Sequence, residues 1–131
     1  EWEKACRGIT GLIYPWRSRD IGPGKLNYKG NIDDTKPVGS YSPNGDSSYG
    51  AADMAGNVWE WTSSQYKAYP YRANDGREDL TGSAFRVLRS GSFQVGSSFV
   101  RCAGRTGDDP GFYSDGGGFR VGFTPPAASG L

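Results

Sequence analysis

Glycine is what most limits the folds open to this chain: it supplies 21 of 131 residues, about twice average usage. Glycine weakens helix and strand interiors and is at home in turns. Eight prolines add further breaks. Much of the backbone must therefore run as turns and irregular loops, and a core has to form with few long elements. Four Trp, eight Tyr and six Phe supply it, against a single methionine, Met54. Aromatic side chains bury large areas without needing many helices, and their abundance argues against disorder. The length fits one domain around one modest core.

Charge and residue usage exclude several function classes. Fifteen Lys and Arg against 14 Asp and Glu leave a net charge of +1, too little to suggest nucleic acid or an acidic membrane as partner. Apolar runs are short, so membrane insertion is not expected. No histidine is present, which removes His general bases, Ser-His-Asp and Cys-His activation, and His-ligated zinc or iron. Cys6 and Cys102 are far apart in the chain, so there is no C-x-x-C redox or zinc pair. The chain opens at Glu1-Trp2-Glu3 without an initiator Met or a targeting segment and reads as a fragment or processed product. Localisation stays open.

Along the chain, Glu1 to Arg7 places Trp2, Ala5 and Cys6 at helical spacing, with Gly8 as the stop. Residues 17 to 50 are loop-dominated, with turn signals at Gly22-Pro23-Gly24, Lys29-Gly30-Asn31 and Pro43-Asn44-Gly45-Asp46. A short extended edge is expected over Pro37 to Tyr41. Asn57 to Thr62 reads as a strand with Trp59 and Trp61 on one face, as core anchors, and Glu60 on the other. Further strands are expected over Ala84 to Phe93, Val100 to Ala103 and Gly118 to Phe123, the last with Phe119, Val121 and Phe123 facing one way. Neither an internal repeat nor a linker interrupts residues 1–131, read as one α+β domain.

Seven blocks then occur in a recognisable order: Glu1-Trp2-Glu3-Lys4-Ala5-Cys6-Arg7-Gly8, Tyr14-Pro15-Trp16, Pro37-Val38-Gly39-Ser40, Asp53-Met54-Ala55-Gly56-Asn57-Val58-Trp59-Glu60-Trp61, Arg86-Val87-Leu88-Arg89-Ser90-Gly91-Ser92-Phe93, Arg101-Cys102-Ala103 and Gly118-Phe119-Arg120-Val121. Together they resemble the formylglycine-generating enzymes, or sulfatase-modifying factors, over almost the whole length. The resemblance implies a C-type-lectin-like fold: twisted antiparallel strands, little helix and many ordered loops. Family members carry a longer N-terminal portion, which this chain is expected to lack.

The enzymes of that family oxidise a substrate cysteine at a copper-thiolate pair lying between the Gly-Ser-aromatic and Arg-Cys-Ala blocks. Here the interval is Gln94-Val95-Gly96-Ser97-Ser98-Phe99-Val100, without sulfur, and soft Cu(I) needs thiolates. The related sulfoxide-synthesising branch holds iron with histidines, which are absent. Neither chemistry is expected, and no copper. Cys6 and Cys102 match a different family pair that is bridged in some secreted members; a bond there or two buried free thiols both stand. In calcium-binding members the positions matching Asp53 and Glu60 give carboxylates, and those matching Gly56 and Val58 give carbonyls, an all-oxygen set suited to structural Ca2+. A second calcium position matches Asn31, Ile32 and Asp34 more weakly. The alternative is that Glu60 pairs with an arginine such as Arg120.

One stretch differs in character from the blocks around it: Val95, Gly96, Ser97, Ser98 and Phe99, then Gly104, then Thr106, Gly107, Asp108 and Asp109, then Gly111, Phe112, Tyr113, Ser114, Asp115 and Gly116, ending at Gly117. Small and polar residues with aromatic anchors are also the chemistry of antibody-like paratopes. The layout resembles the variable proteins of diversity-generating retroelements, in which asparagine codons are randomised at adenines while framework residues such as Arg101, Arg105 and Pro110 stay fixed. Gln94 cannot be reached that way and falls outside the set. An ordinary glycine-rich surface loop is the alternative.

The resulting expectation is a non-catalytic domain that recognises a protein or other macromolecular ligand through its 95–117 loops. Phe99, Phe112 and Tyr113 would be the anchors, with Asp108, Asp109 and Asp115 for polar specificity. An inactive relative of the oxidases and a carbohydrate-binding lectin are the other readings. If the variable-protein resemblance holds, the protein is displayed on a surface, secreted or carried on a virion.

Overall fold

The structure, a computed structural model, describes residues 1–123; the expected domain boundary at Leu131 lies outside them. Helix α1 spans Trp2–Arg7 and stops at Gly8, whose φ of 64° suits glycine. Its Glu3 carboxylate holds Arg7 at 2.7 Å and Arg89 at 3.1 Å. That second pair ties the helix to the sheet.

Four strands follow: β1 Trp59–Gln65, β2 Arg86–Arg89, β3 Thr106–Asp108 and β4 Gly117–Gly118. Their order across the sheet is β3-β2-β1-β4. β1 pairs antiparallel with β2, and β2 with β3. The expected antiparallel pattern fails at one edge, where β4 runs parallel to β1, Trp59 facing Gly117 and Glu60 facing Gly118. Alternation sends Trp59 and Trp61 to one face of the sheet and Glu60 to the other.

Two apolar clusters form the core. One joins Trp16, Leu26, Ala55 and Val100, with Tyr14, Ile21, Tyr28 and Val95 packed against it. The other joins Met54 to Cys6 and Cys102, under Trp2 and Ala5. The cysteines form a disulfide, with Cα atoms 5.4 Å apart, so of the two open readings it is the bridge that holds. Buried Asn57 centres a polar knot. The Asn57 side chain receives the Lys36 N–H at 2.8 Å and donates to the Lys36 carbonyl at 3.1 Å, while its own N–H donates to the Asn27 carbonyl. Gly56, φ 77°, stands against that same Asn27 carbonyl, where a Cβ would collide with backbone. Glycine at this position is therefore a packing requirement.

Several expectations fail in instructive ways. Pro37 to Tyr41 is turn, not an extended edge; Ser40 N–H donates to the Pro37 carbonyl and Val38 is exposed. Val100 to Ala103 forms no strand: Val100 and Cys102 are buried by separate clusters, and the chain between them turns. The Gly118 to Phe123 strand ends at Gly118, since no ladder partner continues beside it among the described residues. Phe119 is 77% exposed, and Val121 and Phe123 are exposed with it, so Phe119 is no core residue. Ala84 to Phe93 shrinks to β2, because Ser90 and Gly91 take positive φ.

The long connection from β1 to β2 is pinned from within. Arg77, buried, holds Asp75 at 2.6 Å and donates to the Ala68 and Pro70 carbonyls. Hydrogen bonds from Arg77 hold the Asp75 carboxyl at about 2, below its ordinary 3.8. Arg105 lies over the rings of Tyr66 and Tyr69, 4.6 and 4.1 Å from their centroids.

Candidate functional site: an aromatic cleft on one sheet face

The register places Trp61 opposite Leu88, Leu88 opposite Thr106, and Arg86 opposite Asp108. Directly paired residues point to the same side of a sheet. Trp59, Trp61, Leu88, Thr106 and Asp108 therefore share one face, where they floor an open cleft of about 460 Å³. Phe112, Tyr113 and Ser114 form one wall, while Gln94, Gly117, Gly118 and Phe119 complete the lining. Trp59 and Trp61 are half-buried, not core anchors; their free surface is the cleft floor. Phe99 meets Trp59 edge-on, ring centroids 6.0 Å apart.

The wall is an ordered loop. Asp108 Oδ1 accepts the Asp109 N–H, Asp109 Oδ1 accepts the Gly111 N–H, and the Asp109 carbonyl accepts the Phe112 N–H. The Ser114 carbonyl accepts the Gly117 N–H, and Trp59 N–H donates to the Gly116 carbonyl. Tyr113 at the rim is 91% exposed and Phe112 53%. Apolar area standing in water like this is stabilised by a covering partner.

The structure sorts the 16 residues singled out in the sequence. Thr106, Asp108, Phe112, Tyr113 and Ser114 line the cleft, and Phe99 touches its floor. Ser98, Asp109, Gly111 and Asp115 are exposed, while Gly96 and Ser97 are half-buried. Four others have structural work. Val95 packs on the core cluster. A Cβ on Gly104 would lie 2.5 Å from the Phe99 carbonyl oxygen, and one on Gly107 2.5 Å from the Tyr66 ring. A Cβ on Gly116, a buried residue, would lie 2.9 Å from the Gln94 side-chain oxygen. Gly104 and Gly107 have no room for other side chains, whereas at Gly116 the nearest atom is the movable end of the exposed Gln94, with Ser92 next at 3.2 Å. Sequence reasoning missed Leu88 and Phe119 as lining and set Gln94 aside; the i, i+2 tryptophan pair was the available signal for the floor.

Of the residues expected to hold calcium, Glu60 lies on the opposite face and, like Asp53 and Gly56, is already hydrogen-bonded, while Val58 beside it is half-buried. Glu60, 4% exposed, accepts the Trp2 indole N–H and the Arg120 Nε–H on one oxygen and Arg120 Nη2 on the other. Arg120 also donates to the Ala52 and Asp53 carbonyls at 3.1 Å. Burial opposes the charge on Arg120, but hydrogen bonds and charge from Glu60, with Asp53 beyond, outweigh it and hold the guanidinium above its ordinary pKa. The Asp53 carboxylate accepts the Gly39 N–H, and the Gly56 carbonyl accepts the Ser90 hydroxyl. Of that set only Glu60 is held by the guanidinium, whose other partners are the Ala52 and Asp53 main-chain carbonyls, so a cation at Glu60 would have to displace it. At the weaker position, Asn31 donates to the Leu26 carbonyl, Asp34 accepts the Thr35 N–H, and Ile32 is exposed. Among the described residues no group of three or more His, Cys, Asp or Glu could hold a metal.

The sulfatase-modifying factor enzyme 1-like domain family matches residues 1–123. The chain belongs to this family. Among its curated relatives, hercynine oxygenase of Mycolicibacterium smegmatis is 38% identical over 122 residues, covering 84% of this chain and 28% of that protein. Inactive C-alpha-formylglycine-generating enzyme 2 of Bos taurus is 34% identical over 131 residues, covering 92% and 40%. The chain thus spans less than half the length of these sulfatase-modifying-factor relatives. A solved structure, Treponema denticola variable protein 1, superimposes with a TM-score of 0.72 at 27% identity, over 91% of this chain and 43% of that one. The fold is C-type-lectin-like, and the family holds active and inactive members.

Proposed function

We propose that this chain is a non-catalytic recognition domain that binds a protein or other macromolecular ligand in the aromatic cleft. The observation that carries the reading is the cleft itself: two half-buried tryptophans on the sheet continue into exposed Phe112 and Tyr113 on a hydrogen-bonded loop. Rigid aromatics lose little conformational entropy when a partner covers them. Two features of this chain support the non-catalytic part of the reading. Both cysteines are joined in the disulfide, and the sequence has no histidine.

Likeness to a variable protein supports the further reading that the wall is the segment diversified among homologous copies. Replaceable positions would then be Ser97, Ser98, Phe99, Thr106, Asp108, Asp109, Phe112, Tyr113, Ser114 and Asp115, while Gly104 and Gly107 would stay fixed.

A library randomised at Ser98, Phe99, Phe112, Tyr113 and Asp115 and displayed on cells tests the reading. Most members should fold and yield selectable binders to an immobilised protein such as lysozyme. A library in which nearly every member fails to fold would mean the wall is structural. Separately, the wild-type chain incubated with Cu(I) and a cysteine peptide should leave the thiol intact; formation of a peptide aldehyde would overturn the non-catalytic reading.

A further inference from the structure

The cleft lining carries one charged group, and it is an acid. Five aromatic rings (Trp59, Trp61, Phe112, Tyr113 and Phe119) line the cleft with Asp108, and no basic side chain joins them in the lining. Arg86, opposite Asp108 on β2, sends its guanidinium to the Ser63, Asp79 and Thr81 carbonyls. Arg105 alternates to the other face, over Tyr66 and Tyr69. Arg101 donates to the Ser98 carbonyl and lines a separate cleft beside Arg7 and Arg19. Asp108, Asp109 and Asp115 form no salt bridge among the described residues. The wall is therefore acidic in a chain whose net charge is +1.

Aromatic faces are electron-rich and attract cations, and the attraction grows as water is displaced. A carboxylate at the end of such a cleft adds a charge-assisted hydrogen bond. A side chain meeting both demands has an apolar stem that packs on the rings and a cationic head that reaches Asp108. Lysine and arginine have this build, and the planar guanidinium both stacks on rings and matches a carboxylate with paired donors.

From this charge complementarity we infer that the cleft seats a basic side chain, arginine before lysine, from a protein partner. The inference rests on the cleft being the recognition surface. Asp108 Oδ1 already accepts the Asp109 N–H, but a carboxylate offers about four acceptor sites on its two oxygens, so both still have room for a forked guanidinium.

The test follows the indole N–H signals of Trp59 and Trp61 by NMR while the chain is titrated with three probes. These are N-acetyl-arginine amide, N-acetyl-norleucine amide and N-acetyl-glutamate amide. Arginine should move both signals with about fivefold or greater preference over norleucine, as expected for a partly desolvated cation on aromatic faces, and glutamate should move neither. Asp108→Asn keeps an oxygen for the Asp109 N–H and should bring arginine down to the norleucine level. Equal binding of norleucine and arginine, or an arginine preference that survives Asp108→Asn, overturns the basic occupant while leaving the cleft as a ligand site. If no probe moves either indole, the recognition surface itself is refuted.

Discussion

Removing the guanidinium of Arg120 separates the ion-pair account of the Glu60 site from a metal account. Arg120→Met keeps most of the side chain's stem but strips Glu60 of two donor contacts, leaving only the Trp2 indole on its carboxylate. It also frees the Ala52 and Asp53 carbonyls. Breaking a buried pair from one side costs about 3–5 kcal/mol, because a charge is left buried without compensation. The Arg120 side chain is 34% exposed against 5% for Glu60, so water can partly replace it, and about 2–4 kcal/mol is the fitting expectation. For a chain of this size that lowers the melting temperature by roughly 10 °C. The reverse variant, Glu60→Gln, should cost only about 1–2 kcal/mol. Its amide oxygen can still accept the indole, and Arg120 keeps its carbonyl partners and its access to water. Urea denaturation of the oxidised chain reads both, with and without a chelator in the wild type. The opposite ranking of the two variants would refute the reasoning, as would a wild-type melting temperature that falls on chelation.

Three other expectations follow from contacts elsewhere. Replacing Cys6 and Cys102 with Ala should cost about 4–5 kcal/mol on the chain-entropy scale for a loop this long, read as a lower urea midpoint; an unchanged midpoint would show that the bridge adds nothing. Gly107→Ala drives a methyl into the Tyr66 ring and should cost about 1–3 kcal/mol, whereas Gly96→Ala, with nothing within 4 Å, should be near neutral; equal melting temperatures for the pair would contradict the packing. The Asp75 carboxyl, lowered from 3.8 to about 2 by Arg77, should contribute stability in full above about pH 4 and lose it as pH falls toward 2. The melting-temperature gap between wild type and Asp75→Asn should narrow over that window, and a gap constant from pH 6 to 2 would refute the pairing.

Legibility in the sequence followed the kind of signal each element carries. α1 was legible because its apolar spacing and its glycine stop are local, and β1 because Trp59, Glu60 and Trp61 alternate. β3 was not, since Thr106-Gly107-Asp108 has no apolar rhythm and exists through pairing with β2. Phe119, Val121 and Phe123 show the converse: an alternating stripe predicts a strand with one buried face, yet a strand also needs a partner beside it. Within the site, the aromatic wall was legible from composition. The roles of Gly104 and Gly107 were not, because what excludes a side chain there is Phe99 or Tyr66 arriving from elsewhere in the chain. Glu60 left two readings in sequence. Only the third dimension brings Trp2 and Arg120 to it.

The floor and the wall of the cleft come from different kinds of backbone, and this divides their labour in recognition. Trp59 and Trp61 belong to a strand paired on both sides, so their positions do not change when the loop sequence does. In the proposed reading they give each version of the wall a shared baseline of apolar affinity, and the loop has only to discriminate. Such a surface changes targets in few steps, since no new wall begins from zero binding. The same arrangement limits selectivity: attraction to the floor is common to all ligands, so discrimination has to come from what the wall excludes.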